Sequence, residues 1–237
     1  STNTSMKTKM IRYSVLLLFI LAFSCNEESK NNKPLTDEKS STTQNTTNPD
    51  SVYSIIMVGD MMLGTNYPSA ASLPPNDGAD ILSEAKEFLE IADVTIGNLE
   101  GTLLNSGGTP KVCANPDNCV AFRMPEHYAG YIKDAGFDMM NLANNHSGDM
   151  GDIGRTSTQN TLKQYGIKYA GHISAPTAIF IKDGIKFGLT GFAPNNGTLS
   201  INDHKKAAKI VSELKKECDI VIVAFHGGAE GSGATHV

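Results

Sequence analysis

From Val52 onward the chain alternates short apolar extended runs with segments of helical spacing, and its last extended run, "DIVIVAFHGG" from Asp219, is continuously apolar. A strand without polar alternation is covered on both faces. Strands of that kind separated by amphipathic helices specify an α/β fold. The strand segments are "YSIIMVGD", "DVTIGNLEG", "FDMMNLAN", "IKYAG" and the final run. Between them, "GADILSEAKEFLEIA", "PEHYAGYIKDAG" and "DIGRTSTQNTLKQYG" carry helical spacing. "TAIFIKDGIKFGLTGFAP" reads as a hairpin turning at Asp183 and Gly184. "NDHKKAAKIVSELKKEC" is a helix capped by Asn202 or Asp203, with Ala207, Ile210, Val211 and Leu214 on one stripe.

The polar residues gather where strands end. The first strand closes on Gly59-Asp60, the second on Gly97-Asn98-Leu99-Glu100-Gly101, the third on Asn144-Asn145-His146 and the last on His226-Gly227. In an α/β sheet the carboxyl ends of the strands share one rim, where ligands bind. Asp, Glu, Asn and His are donors that hard or borderline divalent cations accept, so the four strand ends form a candidate metal site. Each residue also has a plainer use: Asp60 as a loop cap, Glu100 as a solvated turn residue, the asparagines as turn formers, His226 as a core histidine. Repetition at four strand ends favours a shared site. His127, His172, His204 and His236 carry no such pattern.

The first 24 residues read as a signal peptide: Lys7, Lys9 and Arg12 precede "SVLLLFILAF", too short to span a bilayer, and the run ends in "LAFSC". This resembles a bacterial lipoprotein signal, which makes Cys25 the lipidated residue and a membrane the partner of the anchor. Residues 25–52, almost free of large apolar side chains, read as a flexible polar tether reaching roughly 25 to 30 Å. Residues 53–237 are then the folded domain, in the bacterial cell envelope outside the cytoplasm. A formal charge of −5, made more negative by loss of the cationic leader, offers no field for a phosphate backbone and argues against nucleic acid. Cys113 and Cys119 bracket the turn-rich "ANPDN" and suit a disulfide in an exported protein; half of a metal site is the alternative, without a second pair at finger spacing. Cys218, at the end of a helix's apolar face, reads as a buried thiol.

With these residues in view, the sequence resembles the CapA family of poly-gamma-glutamate capsule biosynthesis proteins, which are similar in fold to calcineurin-like metallophosphoesterases. The resemblance lies in "MVGDMMLG" from Met57, "IGNLEGTL" from Ile96, "FRMPEHYAGYIKDAGFDMMNLANNHSGDMGDIG" from Phe122, "TLKQYGIKYAG" from Thr161 and "VIVAFHGG" from Val221. It implies a four-layer αββα sandwich of the metallo-dependent phosphatase type. Residue by residue it implies Asp60, Glu100, Asn145 and His226 as metal ligands, with Glu100 able to bridge two ions, and His146 as the imidazole acting on the leaving group. Asn98 and Asn144 accompany them at the rim, and Gly148 and Gly151 let the chain turn into the next helix.

Two divalent cations about 3.5 to 4 Å apart would activate a water and polarise the substrate while His146 protonates the departing group. No G-x-S-x-G elbow or Walker loop competes with that reading. The implied activity is a metal-dependent hydrolase or transferase; the implied partner is an anionic envelope polymer or its synthesis machinery. A non-catalytic role in polymer export or assembly and a general metallophosphoesterase are the alternatives. Met62 stands where the phosphoesterase pattern has a histidine, which would remove one ligand. The chain ends at "GAEGSGATHV" before the family's later Gly-His-rich segment, so the expectation is a C-terminally truncated domain, poorly soluble or inactive alone.

Overall fold

The computed structural model describes residues 52–113, 119–228 and 232–234. Cys25, the leader, most of the tether and His236 lie outside the described residues. A mixed α/β fold results, with a parallel sheet and helices. The first sheet holds β1 (Ile55–Met61), β2 (Val94–Leu99), β5 (Met139–Asn141) and β6 (Lys168–Ala170), in that order and all parallel. The second holds β7 (Thr177–Lys182) and β8 (Ile185–Phe192) as an antiparallel hairpin, with β9 (Ile220–Phe225) parallel to β8. The hairpin turns where expected: Asp183 and Gly184 have φ of 50° and 84°, the two left-handed residues of a tight hairpin turn. A two-stranded pair, β3 (Thr102–Leu103) with β4 (Arg123–Met124), has no counterpart in the sequence reading.

Period-two alternation sorts the side chains into two cores. Ile55, Val94, Ile96, Met139 and Ala170 of the first sheet pack with Ala178, Phe187, Leu189, Ile220, Ile222 and Ala224 of the second. On the other face of the first sheet, Met61, Leu99, Met140 and Leu142 meet Leu89 of α1 (Ser83–Leu89), Tyr128, Ala129 and Ile132 of α2 (Tyr128–Asp134), and Leu162 of α3 (Gly151–Gln164). Helix α4 (His204–Glu217) begins at Asp203, whose carboxylate accepts the Lys206 N–H at 3.0 Å. That assigns the cap left open between Asn202 and Asp203. Its buried Leu214, with Cys218 just beyond, closes on Gly188 of β8.

Two expectations need correction. The first helix, expected over 78–92, runs only from Ser83 to Leu89, because Gly78 has φ of 75° and Leu82 (φ −107°, ψ 1°) lies outside helical values. The last strand is only partly covered: Ile222 of β9 is buried, Ile220, Val221, Val223 and Ala224 are half-buried, and Phe225 at the carboxyl end is 68% exposed.

Candidate functional site

The same alternation that builds the inter-sheet core also builds the site. Along β2, Val94 and Ile96 point between the sheets and the next residue on that face is Asn98. Along β5, Met139 is followed by Asn141; along β9, Ile222 and Ala224 are followed by His226. At the carboxyl rim the apolar layer thus gives way to amides and an imidazole. On β1 the parity would send residue 60 to the opposite face with Ile56. A register shift between Val58 and Asp60 prevents this, pairing Val58 with Gly97 and Asp60 with Asn98. The bulge at Gly59 re-aims one carboxylate into the inter-sheet layer, a common use of bulges beside sites.

Asn98 is the hub. Its Nδ2 donates to Asp60 Oδ1 at 2.6 Å and to His226 Nδ1 at 3.2 Å. Its Oδ1 accepts from Asn141 Nδ2 at 2.7 Å and from Asn144 Nδ2 at 3.2 Å. Every hydrogen-bonding position of the amide is filled. Asn144 also donates to the Leu99 carbonyl (2.8 Å), and its Oδ1 accepts the His146 N–H (3.1 Å). The turn after β5 is thereby tied to the end of β2. Gly191 of β8 completes the floor, since a Cβ there would overlap the Asn141 amide.

Asp60, Glu100 and His226 each present a ligating atom within 4.8 Å of the others. His226 lies 3.5 Å from Asp60 Oδ1 through Nδ1, and its Nε2–H donates to Asn145 Oδ1 at 2.8 Å. All four residues expected to hold metal therefore sit together, beside a cavity of about 400 Å³ that also reaches Asn195 and Gly227. Two carboxylates, an imidazole and an amide oxygen suit a borderline or hard divalent cation. The electrostatics agree: burial and the neighbouring Asp60 charge raise the Glu100 carboxyl above its ordinary range, against the milder pull of His146 and His226. Among the described residues, the ion-pair partners of Asp60 and Glu100 are these imidazoles. Met62, at the position of the missing ligand, is 40% exposed, and its sulfur accepts the Gly64 N–H at 3.2 Å.

His146 is buried at the edge of this cluster, with Nε2 3.7 Å from Glu100 Oε1. Its Nδ1 lies 2.7 Å from Asp149 Oδ2, and its ring stacks on Phe122 with centroids 4.2 Å apart. Sequence reading assigned no role to Asp149, Lys111, Phe122 or Asn141. For Asp149 the signal was its place three residues after His146 in one turn. For Asn141 it was the continued alternation of β5. Lys111 and Phe122 carried none, because only folding brings the segment after Gly108 over the turn. Gly151 has φ of 66°, as a sharp entry to α3 requires, and a Cβ on Gly148 would displace the end of the flexible Arg155 side chain.

Cys113 and Cys119 are joined in a disulfide, which flanks the segment bearing Lys111 and Phe122. Replacing both by serine is expected to lower stability by about 2 kcal/mol through a less constrained unfolded chain, read as a lower urea midpoint. Cys218 is buried. His172 is a core histidine: burial, helped by Arg155, pushes its pKa down to about 4, and Gln159 Nε2 lies 2.8 Å from its Nδ1. His127 pairs with Asp77 on the surface at 2.7 Å, and His204 is an exposed residue of α4.

Residues 54–235 match the family model described as bacterial capsule synthesis protein PGA_cap. The capsule biosynthesis protein CapA of Bacillus anthracis is 26% identical over 193 residues, 73% of this chain and 46% of that protein. The PGA biosynthesis protein CapA of Bacillus subtilis (strain 168) is 27% identical over 209 residues, 81% of this chain and 53% of that protein. The uncharacterized protein y4sH of Sinorhizobium fredii is 32% identical over 151 residues, 62% of this chain and 31% of that protein. The chain thus spans about half the length of the two CapA proteins. With nearly all of the folded region inside that match, the chain belongs to the PGA_cap family of bacterial capsule synthesis proteins.

Proposed function

We propose that the chain is the metal-dependent hydrolase or transferase domain of a capsule or envelope polymer assembly protein, acting on a poly-gamma-glutamate-like polyanion. The observation that carries this reading is the convergence of Asp60, Glu100, Asn145 and His226, from four separate strand ends, next to the His146–Asp149 pair. Structural turn residues have no reason to assemble two like-charged carboxylates and two imidazoles at one rim. The packing of two sheets on one apolar layer, with α4 against the second and α1 to α3 against the first, supports the four-layer αββα arrangement. Residues 1–24 act as the lipoprotein signal, Cys25 carries the lipid anchor, and residues 25–52 tether the domain outside the cytoplasm.

Asp60, Glu100, His226 and the Asn145 amide would hold a divalent cation. Bound metal supplies Lewis-acid polarisation of the scissile group and an activated water. The remaining work belongs to the chain. Asn98 orients Asp60 and His226 through its two N–H groups. Asp149 accepts the Nδ1 proton of His146, so Nε2 faces the cluster and exchanges a proton with the leaving group. The acidic chain repels a polyanion by itself, so cations at the rim are also what lets a polyglutamate approach.

The test is incubation of the purified full-length protein with gamma-linked polyglutamate and Mn²⁺ or Zn²⁺, following chain length by mass spectrometry. Shortening or transfer that requires the cation and is lost in His146→Gln is the expected result. Stoichiometric metal without any change in the polymer would overturn catalysis on it. Turnover of a simple phosphate ester in the same assay would then select the phosphoesterase, and bound polymer without turnover the assembly partner.

A further inference from the structure

Lys111 lies on the segment leading into the disulfide, away from every strand end that forms the metal cluster, yet its ammonium reaches the inner side of His146. Nζ is 2.7 Å from Asp149 Oδ1, an ion-pair contact outside hydrogen-bonding geometry, and 3.1 Å from His146 Nδ1. The Asp149 side chain has no solvent exposure, that of His146 is 11% exposed, and that of Lys111 is 24% exposed. Oδ2 of the same carboxylate accepts the Phe122 N–H at 2.6 Å and lies 2.7 Å from His146 Nδ1. Backbone bonds hold the segment in place: Lys111 N–H donates to the Asp149 carbonyl at 2.8 Å and Thr109 N–H to the Met150 carbonyl at 3.3 Å.

Hydrogen-bond accounting decides what the three groups do. An ionised carboxylate only accepts and an ammonium only donates. Nδ1 of His146 cannot give a proton to Asp149 and offer a lone pair to Lys111 at once. The shorter contact, 2.7 Å against 3.1 Å, is the one to Asp149, and it is charge-assisted. Nδ1 therefore carries the proton, and Lys111 acts on the carboxylate rather than on the ring. Its position on Oδ1 turns Oδ2 toward the imidazole.

We propose that Lys111 is a positioning residue for His146: acting through Asp149, it locks the imidazole in the Nδ1–H tautomer with Nε2 directed at Glu100. The inference rests on His146 as the proton-transfer group of the proposed function, and adds a cation that no strand-end pattern contains. Among the described residues Lys111 is not an ion-pair partner of Asp60 or Glu100 and does not line the cavity beside them, so its contribution is to geometry and proton placement.

The experiment is ¹⁵N NMR of the full-length, chelator-treated protein labelled in histidine, with His146 assigned by the resonances lost in His146→Gln, at mildly alkaline pH. The wild type should show protonated Nδ1 and unprotonated Nε2. In Lys111→Met the preference for Nδ1–H should fall about tenfold with the loss of the ammonium beside Asp149 Oδ1, while Lys111→Arg restores it. A loss of packing alone does not move the tautomer of a folded protein. An Nε2–H form in the wild type, or a Lys111→Met spectrum superimposable on it, would overturn the proposal. Should Lys111→Met not fold, Lys111→Gln, which keeps an N–H for Oδ1 without charge, replaces it under the same two criteria. The readout needs neither metal nor turnover: an inert protein with the Nδ1–H form intact counts against the reaction alone, and an active one without it against Lys111 alone.

Discussion

Asp60→Ala is expected to lower divalent-cation affinity at least about a hundredfold, beyond the 10- to 100-fold typical for losing a mere supporting contact of a metal ligand, while the metal-free protein stays as stable as the wild type. The asymmetry follows from where Asp60 sits. Its side chain is 58% exposed, and its bond from Asn98 is replaceable by water. Removing it also relieves the repulsion that helps raise the Glu100 carboxyl. Calorimetric titration with Mn²⁺ or Zn²⁺ gives the affinity. Thermal unfolding gives the second half: at a hundredfold excess over the wild-type Kd the wild type should gain about 2.7 kcal/mol, and Asp60→Ala at most about 0.4 kcal/mol. Equal binding by the two proteins would remove Asp60 from the ligand set and with it the proposed function.

The same titration has a pH dependence whose sign is fixed. Burial, then Asp60, hold Glu100 above the ordinary glutamate range in the folded protein. A carboxyl raised on folding opposes the fold above that raised value, and the penalty disappears as pH falls through it. The cation has the opposite preference, because it binds the ionised carboxylates and must displace the proton. Affinity should therefore begin to fall at a pH higher than an unperturbed glutamate would give. Metal-free stability should improve over the same window. In Asp60→Ala the second effect shrinks, since one of its two causes is gone.

Much of this site was legible in the sequence because its residues sit where the chain changes from apolar to polar at the end of extended runs. Asp60, Glu100, Asn145 and His226 each lie at a strand end or just beyond it, and parallel strands deliver such positions to one rim whatever their separation in sequence. What alternation could not show was the sidedness of Asp60, which depends on the one-residue bulge at Gly59. A single slipped residue changes the face of every residue after it. Nor could it show Lys111 and Phe122, whose approach to His146 is set by the Thr109 and Lys111 backbone bonds to the Asp149–Met150 turn. The over-long first helix had a different origin: helical spacing began at Gly78, but the left-handed φ there and the non-helical backbone at Leu82 keep the helix from starting before Ser83. The exposed Phe225 shows that a continuous apolar run reports what a strand can have packed on it, and not which neighbours are present.

Asn98→Leu is expected to cost about 2 to 4 kcal/mol, the largest stability loss for a single polar side chain at the rim, because it withdraws the shared acceptor of two buried amides at about 1 to 3 kcal/mol for each group left short of a partner. The loss is bounded because each donor keeps one bond: Asn141 Nδ2 to the Ala143 carbonyl at 3.1 Å and Asn144 Nδ2 to the Leu99 carbonyl at 2.8 Å. Urea unfolding of the metal-free protein measures it, and a change below about 0.5 kcal/mol, the range of an ordinary surface substitution, would show that the four-way network is not what ties β2 to the turn after β5. Asn98→Asp separates the hub's two duties. It keeps an oxygen for Asn141 and Asn144 but replaces the N–H groups facing Asp60 and His226 with a third carboxylate oxygen. That variant should be destabilised at neutral pH, recover as pH falls and the new carboxyl takes a proton, and recover also on adding a divalent cation. Asn98→Leu, whose defect is a missing acceptor and not an excess of negative charge, should gain from neither more than the wild type does.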